Sequence, residues 1–140
     1  MATVHETYDF DAPVERTYAW FSEHSNLKTL FGIDVERIKE GDTDPNGAGS
    51  VRKLSLKGIM PFEETVTEAI PNERIEYRVT KGTPLRNHLG VMVFSSTGDG
   101  RSHVDYTISF DAAVPGLDKA VAAGLSRSIR RGFPKAARAI

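Results

Sequence analysis

There is no cysteine anywhere in the chain. Disulfides, zinc–thiolate sites, iron–sulfur clusters and thiol nucleophiles are therefore excluded, and the redox compartment goes unsignalled. Long apolar runs are lacking too. Nothing approaches the roughly 20 apolar residues that cross a bilayer, and MATVHETYDF has neither the basic nor the apolar stretch of a secretory leader. The expectation is a cytoplasmic protein without a membrane span. The histidines at 5, 24, 88 and 103 have no metal-ligand spacing, so no metal is expected. DTDPNG, from Asp42 to Gly47, opens like a calcium loop, but its twelfth position is Lys53 rather than a bidentate Glu. It reads as a hairpin turn. NGAGS lacks the Lys-Ser/Thr of a phosphate loop, and neither G-x-S-x-G nor H-E-x-x-H occurs, so no cofactor is expected.

What is present is ordinary for a globular chain: 140 residues, 39% hydrophobic and 26% charged, enough for one domain with a sizeable core over 1–140. The net charge of −1 hides an asymmetry. From Val114 onward Lys119, Arg127, Arg130, Arg131, Lys135 and Arg138 face Asp118 alone, a local charge of +5 that leaves −6 on the remainder. Acidic lipid or nucleic acid could answer such a surface. The plainer reading, adopted here, is a solvated helix face with no nucleic-acid partner, on a monomer or homodimer.

TVHETYDFD alternates as a strand, and Asp11 with Pro13 marks a helix start. Val14, Tyr18 and Phe21 form one stripe of that helix. It should break near Ser22–Ser25 into a second short turn ending at Gly32. Strand candidates follow at about 33–40, 49–57, 60–70, 73–82, 87–97 and 101–112, split by segments rich in Gly, Pro, Asn and Asp. Connections this short require antiparallel neighbours, since a parallel crossover needs about a dozen residues. The last segment is helical, with Leu117, Val121, Leu125, Ser128 and Gly132 on the inward stripe. Pro134 should kink or end it. The expected architecture is α+β, a helix-grip: a curved antiparallel sheet of about seven strands around a long C-terminal helix, with two short helices after the first strand. Ala120, Ala123, Gly124, Ser128 and Gly132 are small, so either close packing or a cavity must lie beneath that helix.

One strand carries an anomaly. In PFEETVTEAI, period-two alternation puts Phe62, Glu64, Val66, Glu68 and Ile70 on one face. That face is the more apolar and should turn inward, taking Glu64 with it. A buried carboxylate costs several kcal/mol unless paired, hydrated or protonated. Arg52, in GSVRKL, could supply the pair. An unpaired Glu64 could instead act as an acid or base. The bland alternatives are a structural ion pair or a Glu at the wet end of the sheet. For His88 the alternation decides nothing, because Gly90, Met92, Phe94 and Leu89, Val91, Val93 are equally apolar. Tyr18 should face in, and Trp20 could cover a cavity mouth, though packing alone would explain both.

The order and spacing of DAPVERTYAWFSEHSNLKTLFG, GAGSVRKLSLKG, ETVTEAIPNERIEYRV and a closing helix after ISFDAAVPG resemble the START-like superfamily of helix-grip proteins. Its bacterial members are often labelled SRPBCC or polyketide cyclase/dehydrase-like, and its plant relatives include birch-pollen-type allergens and abscisic-acid receptors. The resemblance covers essentially the whole chain. It implies that the Glu64 strand lines a cavity between sheet and long helix, with Arg52 on the neighbouring strand. It also implies inward faces at Arg52, Leu54 and Leu56, at Ile75, Tyr77 and Val79, and at Tyr106, Ile108 and Phe110. The match to the receptors places His88 where a cavity polar residue sits, although their gate loop is largely absent from KGIMPF. The tryptophan-containing motifs of chaperone-activating relatives are not evident.

Two functions are implied. One is binding or transport of a hydrophobic small molecule (lipid, isoprenoid or polyketide-like), with Arg52, Leu54, Phe62, Glu64 and Tyr77 touching it. His88, Tyr106, Phe110, Val121 and Leu125 complete the expected lining. The alternative is a polyketide cyclase/aromatase-type enzyme using Glu64, Arg52 or His88 for acid–base chemistry.

Overall fold

The alternating segments form seven strands in a computed structural model that describes residues 1–55 and 61–140. They are β1 (Ala2–Phe10), β2 (Asp34–Lys39), β3 (Val51–Ser55), β4 (Phe62–Ile70), β5 (Arg74–Lys81), β6 (Leu85–Gly98) and β7 (Arg101–Ala112). Every pairing is antiparallel, in the order β1-β7-β6-β5-β4-β3-β2. Short connections dictate β2 through β7, each strand lying beside its predecessor. Only β1 crosses, pairing with β7 from Ala2 opposite Phe110 to Phe10 opposite Ser102. Between β1 and β2 run α1 (Val14–Ser22), a 3-10 turn (His24–Asn26) and α2 (Leu27–Phe31), and α3 (Leu117–Ala139) closes the chain. The α+β helix-grip architecture is as expected, with both short helices after the first strand.

Some local expectations hold and several need correction. Helix α1 does start where Asp11 and Pro13 mark it, at Val14. Pro13 occupies the cap position with extended backbone, and its carbonyl accepts from Arg16 and Thr17. Gly32 does end α2, at φ 70°, a left-handed cap that glycine adopts without a Cβ penalty. In β4 the predicted phase holds for Glu64 and Val66 and then fails. A bulge between Val66 and Glu68 shifts the register, so Ala69 packs on the core while Ile70 is exposed and Glu68 pairs with Arg74 at 3.0 Å. A bulge inserts one residue and so reverses which side chains face in. The period alone carries no sign of it. Val79, expected inward, is half-buried, and Leu56 lies outside the described residues.

The inward stripe of α3 also differs. Ile129, Gly132, Phe133 and Ala136 are buried, whereas Leu117, Val121, Leu125 and Ser128 are half-buried. Only the C-terminal half of the helix is clamped, because α2 presses on it there. A Cβ on Gly132 would lie 2.2 Å from the Leu30 carbonyl oxygen. The helix runs through Pro134 to Ala139. The one missing hydrogen bond is outweighed by Phe133 and Ala136, which seat the last turns in the core. The end is also tied down, since Arg16 donates to the Ile140 carbonyl at 2.6 Å.

The core beneath those turns is aromatic. Phe10, Phe21 and Phe133 meet edge to face, Tyr8 stacks on Phe133 at 5.5 Å, and Phe94 joins Phe21 to Tyr18. Trp20 lies edge-on to Phe21, so packing accounts for both Tyr18 and Trp20. Buried Thr17 and Ser102 share a hydrogen bond of 2.8 Å, and Ser102 donates onward to the Ala12 carbonyl, which fastens α1 to β7.

Candidate functional site

The inward faces of the central strands carry a buried polar cluster. Register sets Arg52 directly opposite Glu64 across β3 and β4. Directly paired residues project to the same face. Arg52 Nε donates to Glu64 Oε1 at 2.8 Å, with the two residues 3% and 7% exposed. The contact is single-pronged, and the pair answers the alternation anomaly: the carboxylate is inside because a guanidinium is inside beside it. Arg52 Cζ also stands 4.6 Å from the centre of the Tyr77 ring, a cation–π distance.

Tyr77 reaches across the sheet to Tyr106, and their hydroxyls hydrogen-bond while both side chains are fully buried. Gly90 makes that reach possible. It is register-paired with Tyr77, and a Cβ there would sit 2.2 Å from the phenol ring. A glycine inside an apolar strand signals close approach of another group, so Gly90 could have been picked out from the sequence, where it served only as a phase marker. Burial pushes the acidities of both phenols well away from water: Tyr77 is raised mainly by burial and then by Tyr106 and Glu64, and Tyr106 is raised mainly by burial. Both are neutral hydroxyls.

His88 joins from β6. Between Arg86 and Leu89 the β6–β7 register shifts, and Asn87 takes a left-handed φ of 52° while its side chain donates to Asp111 at 3.1 Å. The His88 ring points inward in plain alternation with Gly90, Met92 and Phe94. Val79 N–H donates to His88 Nδ1 at 3.0 Å, and the ring lies 5.5 Å from that of Tyr77. Burial lowers the His88 pKa, with Glu64 opposing.

Of the other residues expected at the site, Leu54 and Phe110 are buried and Phe62 is half-buried. Val121 and Leu125 are half-buried against the core from the less clamped half of α3. Phe31 of α2 covers Tyr106 edge-on at 6.5 Å.

A second polar group, passed over in the sequence, borders the first. His24 is 1% exposed and contacts Ser50 Oγ at 3.2 Å. Burial lowers its pKa to about 4, assisted by the charges of Arg52 and Arg37. Nearby, Asn46 donates to Glu23 at 2.8 Å and accepts from Arg37 at 2.8 Å, so the DTDPNG loop is docked onto the 3-10 turn. Asp44 accepts the Asn46 backbone N–H, as a turn residue does. No local pattern marks His24, because its partners lie on distant segments. Among the described residues no cluster of His, Asp and Glu suits a metal.

Two shallow surface hollows lie elsewhere. One of about 150 Å³ runs between Lys28, Asp34, Glu36 and Lys53, and one of about 480 Å³ lies along Ser126, Arg127, Arg130 and Arg131. Neither includes a residue of the polar cluster. The second adjoins Glu6, which accepts from Ser126 and from Arg130 at 2.9 Å.

The model of the family described as polyketide cyclase / dehydrase and lipid transport matches residues 1–140. The chain belongs to that family. It is START-like, as the sequence resemblance implied. Its fold is similar to that of a protein of Thermus thermophilus, with a TM-score of 0.77 at 18% identity, covering 98% of this chain and 95% of that one. It is similar also to XoxI of Bacillus cereus, with a TM-score of 0.76 at 14% identity over 99% and 95% of the two chains. The solution structure of the Aha1 dimer from Colwellia psychrerythraea gives a TM-score of 0.68 at 16% identity over 93% and 92%. These likenesses establish the fold. No curated protein matches by sequence. Among the described residues no helix is long and apolar enough to cross a membrane.

Proposed function

We propose that this family member binds or carries a hydrophobic small molecule (lipid, isoprenoid or polyketide-like) between the sheet and α3, with the buried polar cluster as its anchor. The observation that carries the reading is the Arg52–Glu64 pair on the inward face, flanked by Tyr77, Tyr106 and His88. Replacing a buried ion pair by hydrocarbon of similar volume is often neutral or stabilising, by about 1–4 kcal/mol. A pair kept in such a place therefore calls for a reason other than stability. The half-buried side chains of Val121 and Leu125 supply an apolar wall, worth about 25 cal/mol per Å² of ligand surface covered. Arg52 engages Glu64, which favours the carrier over a cyclase that would use Glu64 as its acid–base group.

Native mass spectrometry of freshly purified protein, with organic extraction, tests the proposal. A retained hydrophobic molecule is expected, and Glu64→Gln should lower its occupancy while the fold persists, because Gln still accepts from Arg52 Nε. Occupancy unchanged in the variant would remove Glu64 from the site. Unfolding on the scale of a core deletion would make it structural.

A further inference from the structure

In place of a merely solvated helix face, we propose that the outer side of α3 docks the protein on an anionic lipid bilayer. The sequence supplies six cations from Val114 onward against Asp118 alone. The fold decides where they point. Helix α3 packs on the core through Ile129, Gly132, Phe133 and Ala136, which leaves its opposite side to solvent. Lys119, Arg127, Arg130, Arg131, Lys135 and Arg138 are all exposed there. Among the described residues only Arg130 of these six meets a carboxylate, that of Glu6 at 2.9 Å. Arg127, Arg131, Lys135 and Arg138 recur at steps of four, four and three residues, which returns them to one side of the helix. At about 1.5 Å per residue they form a row roughly 16 Å long. Where the row begins, Arg127, Arg130 and Arg131 rim the hollow of about 480 Å³.

Charge complementarity selects the partner. The rest of the chain carries −6. Asp9 and Asp105 stand on the outward side of β1 and β7, away from α3. An anionic plane would attract the helix and repel the sheet, which favours one orientation. The remaining exposed positions of the helix are Ala120, Ala123, Gly124, Ala137 and Ala139. None of them is an aromatic or long aliphatic side chain that would insert among acyl chains, so the attraction rests on charge. Each cation near an anionic leaflet raises affinity about fivefold. The same face is poorly suited to nucleic acid. It has no aromatic ring for stacking and no amide for a base edge. The phosphates of a duplex groove would flank the helix on both sides, and on the β1 side α3 is bordered by Glu6. A flat sheet of head groups meets one straight row without that conflict.

Co-sedimentation of the full chain with lipid vesicles tests the docking. Vesicles of phosphatidylcholine and phosphatidylglycerol in equal parts should bind it, at about 0.1 M salt, at least about tenfold tighter than phosphatidylcholine alone. At about 1 M salt the screening length falls to about 3 Å, and the binding should disappear. Arg127→Gln with Arg131→Gln removes two exposed cations and should weaken binding about thirtyfold. Lys53→Gln removes a cation from the outward side of β3 and should stay within about twofold. Equal binding to the two kinds of vesicle, or binding that survives high salt, would overturn the proposal. So would a double variant that binds like the unmodified protein, or a loss on Lys53→Gln as large as the loss on the helix. A short DNA duplex bound tighter than the charged vesicles in the same salt would make the face a nucleic-acid surface instead. The lipid and salt comparisons use the unmodified protein, so a misfolded variant does not shelter the proposal. Docking needs no bound ligand, and its failure would leave the carrier reading standing.

Discussion

Under the last turns of α3 the interior is hydrocarbon: Phe10, Phe21, Phe94 and Phe133, with Ile129 and Ala136 from the helix. Under Phe31 and the central strands the same sheet buries an arginine, a glutamate, a histidine and two phenols. The first region follows from the hydrophobic effect and needs no further purpose. The second retains groups whose desolvation works against folding, and each has a specific partner. One end of the grip holds the protein together, and the other is the end to which the proposed function assigns a ligand.

The comparison can be broken by mutation, beginning with the hydrocarbon end. Phe133→Ala removes a ring that touches Tyr8, Phe10 and Phe21, and should cost about 4 kcal/mol in denaturant unfolding. A loss under about 1 kcal/mol would mean this region is not the main prop.

At the polar end, Arg52→Met alone strands the Glu64 charge and should cost about 3 kcal/mol, whereas Arg52→Met with Glu64→Leu should return to within about 1 kcal/mol of the unmodified protein. Chemical denaturation of the set measures both. If the double variant were as unstable as the single one, the pair would be a structural element and the contrast between the two ends would fail.

The pH dependence sharpens the contrast further. His24 has a folded pKa of about 4 against an ordinary 6.5, so the unfolded chain binds more protons between those values. Its stabilising contribution is full above the unfolded pKa and is lost as the pH falls through that window, by roughly 2 kcal/mol at about pH 5. His88, also lowered, acts in the same direction. Glu6 and Glu23 behave otherwise. Burial raises them, but hydrogen bonds from Ser126 and Arg130, and from Asn46 and Ser25, outweigh it and hold them low. Their contribution is present above the ordinary 4.5 and is lost only as the pH falls further. Thermal unfolding between about pH 5 and 7 should therefore show a slope that His24→Gln flattens, leaving the part due to His88. An unchanged slope would show that His24 does not set it.

The smallest effect belongs to the surface. Lys28 meets Asp34 at 3.3 Å, yet both are mostly exposed, and Lys28→Ala should change stability by less than about 0.5 kcal/mol. A larger loss, measured in the same denaturant series, would mean that surface charge rivals the buried pair.

The architecture was legible because it depends on local signals that repeat: turn residues at short intervals, alternation between them, and helical spacing at the end. Arg52 opposite Glu64 was legible for the same reason, since period-two phase places both inside. Where the backbone departs from regularity, the reading lost its grip. The bulge after Val66 turned Ala69 inward and Ile70 outward, while His88 was left open because both phases of its strand are equally apolar. The buried face of α3 was displaced because Leu30 and Gly132 set how closely α2 presses on it.

By itself, then, the sequence determined an antiparallel sheet of about seven strands, the long closing helix, and the presence of an inward carboxylate with a candidate guanidinium partner. Periodicity and turn chemistry act over a few residues and can be read along the chain. Only the tertiary structure decided that Tyr77 crosses Gly90 to meet Tyr106, that His88 is held neutral by Val79, and that His24 is buried beside Ser50. Those choices depend on which distant segments come within hydrogen-bonding distance, a property of the packed chain that no local stretch of residues contains.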